Sequence, residues 1–118
     1  MEVKYASEHL NKLCHQKKYA LKHLEEKVAK KLIANINYCE NAAESLLDIK
    51  QYTAFHFHDL NGKEYENQWV IYVGRTGYRI HFIPLDENGN EIKKGEVIPQ
   101  IKSIKIMRVM EVSNHYGE

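Results

Sequence analysis

The chain has 118 residues, 43% of them hydrophobic and 28% charged, with 17 Lys and Arg against 16 Asp and Glu. That length fits one domain over residues 1–118, and the composition is that of a folded globular chain rather than a disordered or strongly basic one. No apolar run approaches the length of a membrane span, and Met1-Glu2-Val3-Lys4 lacks the apolar core of a secretion signal, so a cytoplasmic protein is expected.

Val3 to Ala6 reads as a short first strand. Ser7 then caps a helix carrying Leu10, Leu13 and Cys14. The polar stretch His15 to Lys18 breaks or bends it. Leu21, Leu24, Val28, Leu32, Ile36 and Cys39 recur every three or four residues and predict one longer helix with a single apolar stripe. Lys22, Glu26, Lys27, Lys30 and Lys31 lie off that stripe, as a solvated face would. Asn41 and Glu44 resemble a reciprocal cap for a short helix from Ala42 to about Asp48.

The period then changes. Tyr52 to His58 alternates as a strand does, with Phe55 and Phe57 on one side and His56 and His58 on the other. Asn61-Gly62 marks a turn. Trp69–Val73 and Tyr78–Ile83 predict a hairpin closed by Gly74 to Gly77. Pro84 ends that second strand or places it near an edge. Asn88-Gly89-Asn90 is another turn, Glu91 to Gln100 an excursion, and Ile101 to Val112 a long last strand. The order is that of an α+β domain, with two or three N-terminal helices on one face of a mainly antiparallel sheet and the other face open or ligand-bearing.

Cys14 and Cys39 fall at apolar helical positions and read as two reduced core thiols. His15 follows Cys14, but sequence neighbours on a helix point about 100° apart and do not face each other.

The alternation places His56, His58, Arg79 and His81 together on the face away from the helices. The chain ends in Asn114-His115-Tyr116, just past the last strand, and Lys63, Arg75 and Arg108 add cations near the same elements. Lys102, Lys105 and Arg108 follow one another with no acid between them, and the placing of charge matters more than its sum. A lone surface histidine is usually just solvated, so the reading rests on the group. Imidazole exchanges protons near neutrality, and guanidinium grips a phosphate through paired hydrogen bonds. Together they suit proton transfer and charge stabilisation at a phosphate, which needs no metal or other cofactor.

Phe57-His58-Asp59-Leu60-Asn61-Gly62, then Gln68-Trp69, then Gly77-Tyr78-Arg79-Ile80-His81-Phe82, resemble the pattern of RelE/ParE toxins, in which an "LHPLKG" stretch precedes a tryptophan strand and a "WRI-F" strand. Met110 to Tyr116 is similar to the "DYH" or "HY" endings of the HigB-like killer-protein branch. The resemblance covers roughly the second half of the chain. It implies a RelE-like fold with a curved sheet, an antitoxin partner (typically a helix-turn-helix protein from an adjacent gene) and cleavage of messenger RNA on the ribosome. It implies catalytic roles for His58, Arg79, His115 and Tyr116, and RNA contacts from His56, Lys63, Arg75, His81 and Arg108. The chain has Asn61 where the family often has lysine, with Lys63 as the substitute, and Asn114 where an aspartate often precedes the terminal pair.

Three other readings stay open on the residues alone. A gyrase-directed toxin belongs to the same superfamily. His56-x-His58 with His81 is a ligand-like set for a metal. An open sheet face also suits a plain protein-interaction domain.

Overall fold

A computed structural model of the protein describes residues 1–114. Strand β1 (Glu2–Tyr5) is followed by helices α1 (Glu8–His15), α2 (Lys17–His23), α3 (Glu26–Asn41) and α4 (Leu46–Gln51). Strands β2 (His58–Asp59), β3 (Trp69–Tyr72) and β4 (Arg79–Leu85), the short helix α5 (Lys94–Val97) and strand β5 (Ile106–Ser113) complete it. The architecture is α+β. The sheet has the order β1-β5-β4-β3-β2, with β1 parallel to β5 and every other pairing antiparallel.

Ser7 caps α1 as expected, its hydroxyl accepting from the Leu10 amide at 3.2 Å. The single long helix is not formed. Leu24 is extended (φ −134°, ψ 153°) and separates α2 from α3, so the chain doubles back. No Gly or Pro forces this break. Packing does: Leu24 turns in against the core, Leu21 is left 40% exposed, and α1, α2 and α3 fold on one another. Ring contacts join α2 to α1, with His9 Nδ1 2.6 Å from the Tyr19 hydroxyl and His23 against both rings.

The expected reciprocal cap at Asn41 and Glu44 is also replaced. Ser45 caps α4, while the Glu44 amide donates to the Asp48 carboxylate at 2.7 Å. Helix α4 is tied to the strand side by the Leu46 amide, which donates to the Ile104 carbonyl. Residues 98–103 form 3-10 turns, so the last strand starts at Ile106 rather than Ile101. The segment 91–100 is no loose excursion, because Ile92 and Val97 are buried in the main apolar cluster.

One face of the sheet supplies Ile71, Ile80, Phe82, Met107 and Val109 to that cluster, where they meet Leu32, Ile36 and Cys39 of α3. Pro84 lies inside β4, beyond the last residue that pairs with β3. Its missing N–H therefore breaks no ladder there, and its carbonyl accepts from Ile92.

Both cysteines are buried and unpaired. Burial first, then the nearby Glu40 carboxylate, pushes the Cys14 thiol up to about 12, and burial does the same for Cys39. The reactive thiolate is thus suppressed while the chain is folded. At pH 8, iodoacetamide should leave both thiols unmodified in the native protein and label both in denaturant, as counted by mass spectrometry.

Candidate functional site

The segment before β2 departs most from its expected form. Tyr52 to His58 is not a strand: Thr53–Phe55 is a 3-10 turn, and only His58–Asp59 pair with β3. His56 closes the turn in the left-handed region (φ 49°, ψ 43°), where a residue with a Cβ is strained by roughly 1–2 kcal/mol. That turn places the His56 ring on Tyr72, at 4.6 Å between centroids.

Tyr72 is the meeting point of the site, and it was missed in the sequence as one more residue of a strand. It ends β3 and is the register partner of Arg79, the first residue of β4. The Arg79 guanidinium lies 3.7 Å from the centre of its ring, a close cation–π contact. Arg79 Nη1 donates to the carbonyls of Gly77 (3.0 Å) and Tyr78 (3.3 Å), which fixes the group over the ring. His58 meets the same ring edge-on at 6.0 Å. An aromatic residue paired across a hairpin with an arginine was the available signal.

His58 Nδ1 lies 2.8 Å from the His56 carbonyl. A carbonyl only accepts, so Nδ1 carries the proton and Nε2 of the neutral ring keeps its lone pair. One imidazole is thereby set up as a proton acceptor by its own backbone. Ala54, His56, Tyr72, Arg75 and Arg79, with Gly74 and Gly77, line an open pocket of about 390 Å³. His58 stands outside those walls, at the edge of Tyr72.

The remaining candidates divide. Arg75 is in the pocket and exposed. His81 shares the face of His58, since His58, Val70, His81 and Glu111 form one row across the sheet. It is not an open-face residue, however, being only 1% exposed. The loop between β2 and β3 folds back over this half of the sheet, setting the Tyr65 ring 5.8 Å from His81 and burying Leu60. The second face is therefore closed over His81 and accessible at Tyr72, while Glu111 and Lys4 are exposed on its β5–β1 side. Arg108 is bound to Glu91 at 2.7 Å, and Glu91 also accepts from Asn67. Lys63 lies in a separate hollow with Gly62, Glu66, Asn67 and Lys94. His115 and Tyr116 lie outside the described residues, and the chain enters that segment from Ser113, the register partner of Arg79. Among the described residues, no three His, Cys, Asp or Glu side chains are grouped to hold a metal ion.

The stack predicts a measurable coupling. In a double-mutant cycle of Arg79→Ala and Tyr72→Leu, followed by urea unfolding, the pair should show about 0.5–2 kcal/mol of interaction energy. A value near zero would mean that the guanidinium does not rest on the ring in solution. No family model, no curated protein and no solved structure matches the chain, so its function is argued from these side chains.

Proposed function

We propose that this chain is a ribosome-dependent endoribonuclease with a RelE-like architecture, the HigB-like toxin of a toxin–antitoxin pair, held in check by a helix-turn-helix antitoxin. The reading is supported by one observation above the others: a guanidinium and two imidazoles gather on the Tyr72 ring, at 3.7, 4.6 and 6.0 Å. The helices-on-one-face order is compatible with the RelE-like arrangement and is not specific to it.

In this reading the substrate is a strand of messenger RNA lying over the β3–β4 hairpin. His58 Nε2 takes the proton of the ribose 2′-OH, the new oxyanion attacks the adjacent phosphorus, and the bond to the 5′-oxygen breaks. Arg79 holds the phosphate and offsets the charge that grows on its oxygens. The leaving oxygen needs a proton, and His115 or Tyr116 is assigned to give it. Tyr72 keeps Arg79 oriented, so the clamp is formed before RNA arrives. The products are a 2′,3′-cyclic phosphate and a free 5′-hydroxyl. The nucleophile belongs to the substrate, so the mechanism calls for no metal.

Cleavage of a defined message in a reconstituted translation mixture tests this. Arg79→Ala should cut about 100- to 1,000-fold more slowly, the loss typical of one oxyanion donor. His58→Ala should lose about 100- to 10,000-fold, as for a general base. Both variants should melt as cooperatively as the parent. If Arg79→Ala cuts like the parent, or if the parent stops DNA replication and not translation, the assignment is wrong. Protein treated with EDTA and freed of the chelator before mixing, so that the ribosome keeps its Mg²⁺, should cut at the parent rate; loss of cleavage after that treatment and its return with added zinc would replace the metal-free scheme.

A further inference from the structure

A second hollow of about 530 Å³ adjoins the Arg79 pocket, between the β3–β4 turn and α3. Gly74 and Arg75 line both hollows, so the two form one continuous surface. Their charged lining is Lys27, Lys30, Lys31, Arg75 and Arg79, with no Asp or Glu. The whole chain is nearly balanced, at 17 basic and 16 acidic residues. Positive charge has therefore been sorted onto this side of the hairpin.

Lys30 is matched by Glu26 at 2.7 Å. Lys27, Lys31 and Arg75 have no carboxylate partner among the described residues. Lys27 and Lys31 are one helical turn apart, where like charges repel and weaken the helix. The arrangement asks for an anion. Lys31 is also guided to its place. Its stem crosses the turn so closely that a Cβ on Gly74 would stand 3.1 Å from Lys31 Cγ and 3.2 Å from Cε, and Gly74 has φ +55°. A bare backbone at that point lets the lysine pass over the hairpin.

We propose that Lys27, Lys31 and Arg75 form a backbone track for single-stranded RNA, holding phosphates next to the one that Arg79 grips. The choice of RNA as the anion rests on the nuclease reading above; the track itself rests on the charge sorting and on the Lys31–Gly74 approach. The contacts reach phosphates alone, so the track fixes position and carries no base preference.

Fluorescence anisotropy with a 2′-O-methyl oligoribonucleotide tests it, because the methyl group removes the nucleophile and only binding is read. Each single-strand phosphate contact contributes a log–log salt slope of about 0.7. The Lys27→Ala/Lys31→Ala double variant should therefore bind about 25-fold more weakly at 0.1 M salt, with the slope reduced by about 1.4, and equally so for unrelated sequences. Alanine suits an exposed helical position, so the fold should persist; a Lys27→Gln/Lys31→Gln pair checks this and should behave alike. Unchanged affinity and slope in both pairs overturn the track, as does a parent that binds polyglutamate at these lysines and not RNA. If RNA binds through the lysines while unmodified RNA stays uncut with and without ribosomes, the nuclease reading fails and the track stands. If RNA is cut and the lysine variants bind it like the parent, the reverse holds.

Discussion

The contact between Arg79 and Tyr72 organises everything around it. Tyr72 is held at two places. Its carbonyl accepts from Nδ2 of Asn35, a buried amide on α3, at 3.0 Å, and its ring carries the guanidinium. The first contact couples the hairpin to the helical layer, and the second couples it to the candidate chemistry. A buried amide with its partner in place is a strong positional constraint, because leaving that carbonyl unpaired costs about 1–3 kcal/mol. Helix α3, the end of β3 and the start of β4 are thus fixed relative to one another. The two histidines then find their places on a ring that is already set.

Closure of the second face under the β2–β3 loop sharpens this. Tyr65 covers His81, Leu60 is buried beneath the loop, and Glu91 joins Asn67 to Arg108. Two neighbours hold the Glu91 carboxyl below the usual carboxylate range: first the Asn67 amide, then the Arg108 guanidinium. Of the candidate imidazoles, those at the hairpin end keep access to a ligand. An imidazole in the sheet interior and one at its rim share a face and even a row, yet only the second can meet a substrate.

Strong local signals were legible in the sequence. Ser7 announced the first helix, the glycines at 74 and 77 announced the hairpin turn, and Arg79 was placed at the site by its position on β4. What failed were inferences that needed tertiary knowledge. The Leu21–Cys39 stripe is a genuine helical period, but the decision to break at Leu24 is made by three helices packing together. Alternation over Tyr52–His58 looked like a strand because a 3-10 turn followed by one left-handed residue also throws Phe55 and His56 to different sides. His81 alternated correctly and was still misjudged, since alternation gives a face and not whether a loop covers that face. Tyr72 was passed over because its partner is across the hairpin. The lysines of α3 looked merely solvated for the same reason: Gly74, which brings the turn under Lys31, is more than forty positions further along the chain.

The parallel seam has its own consequence. β1 lies at the sheet edge with only β5 beside it, and Glu2 is matched to Ile106. During synthesis β1 must wait, without a partner, until β5, about a hundred positions further along, has emerged. Closing so long a loop is slow, and the helices in between are made first and can pack before the sheet exists. Arg79 likewise lacks its Ser113 neighbour until that moment. The hairpin surface is therefore completed only when β5 slides between β1 and β4.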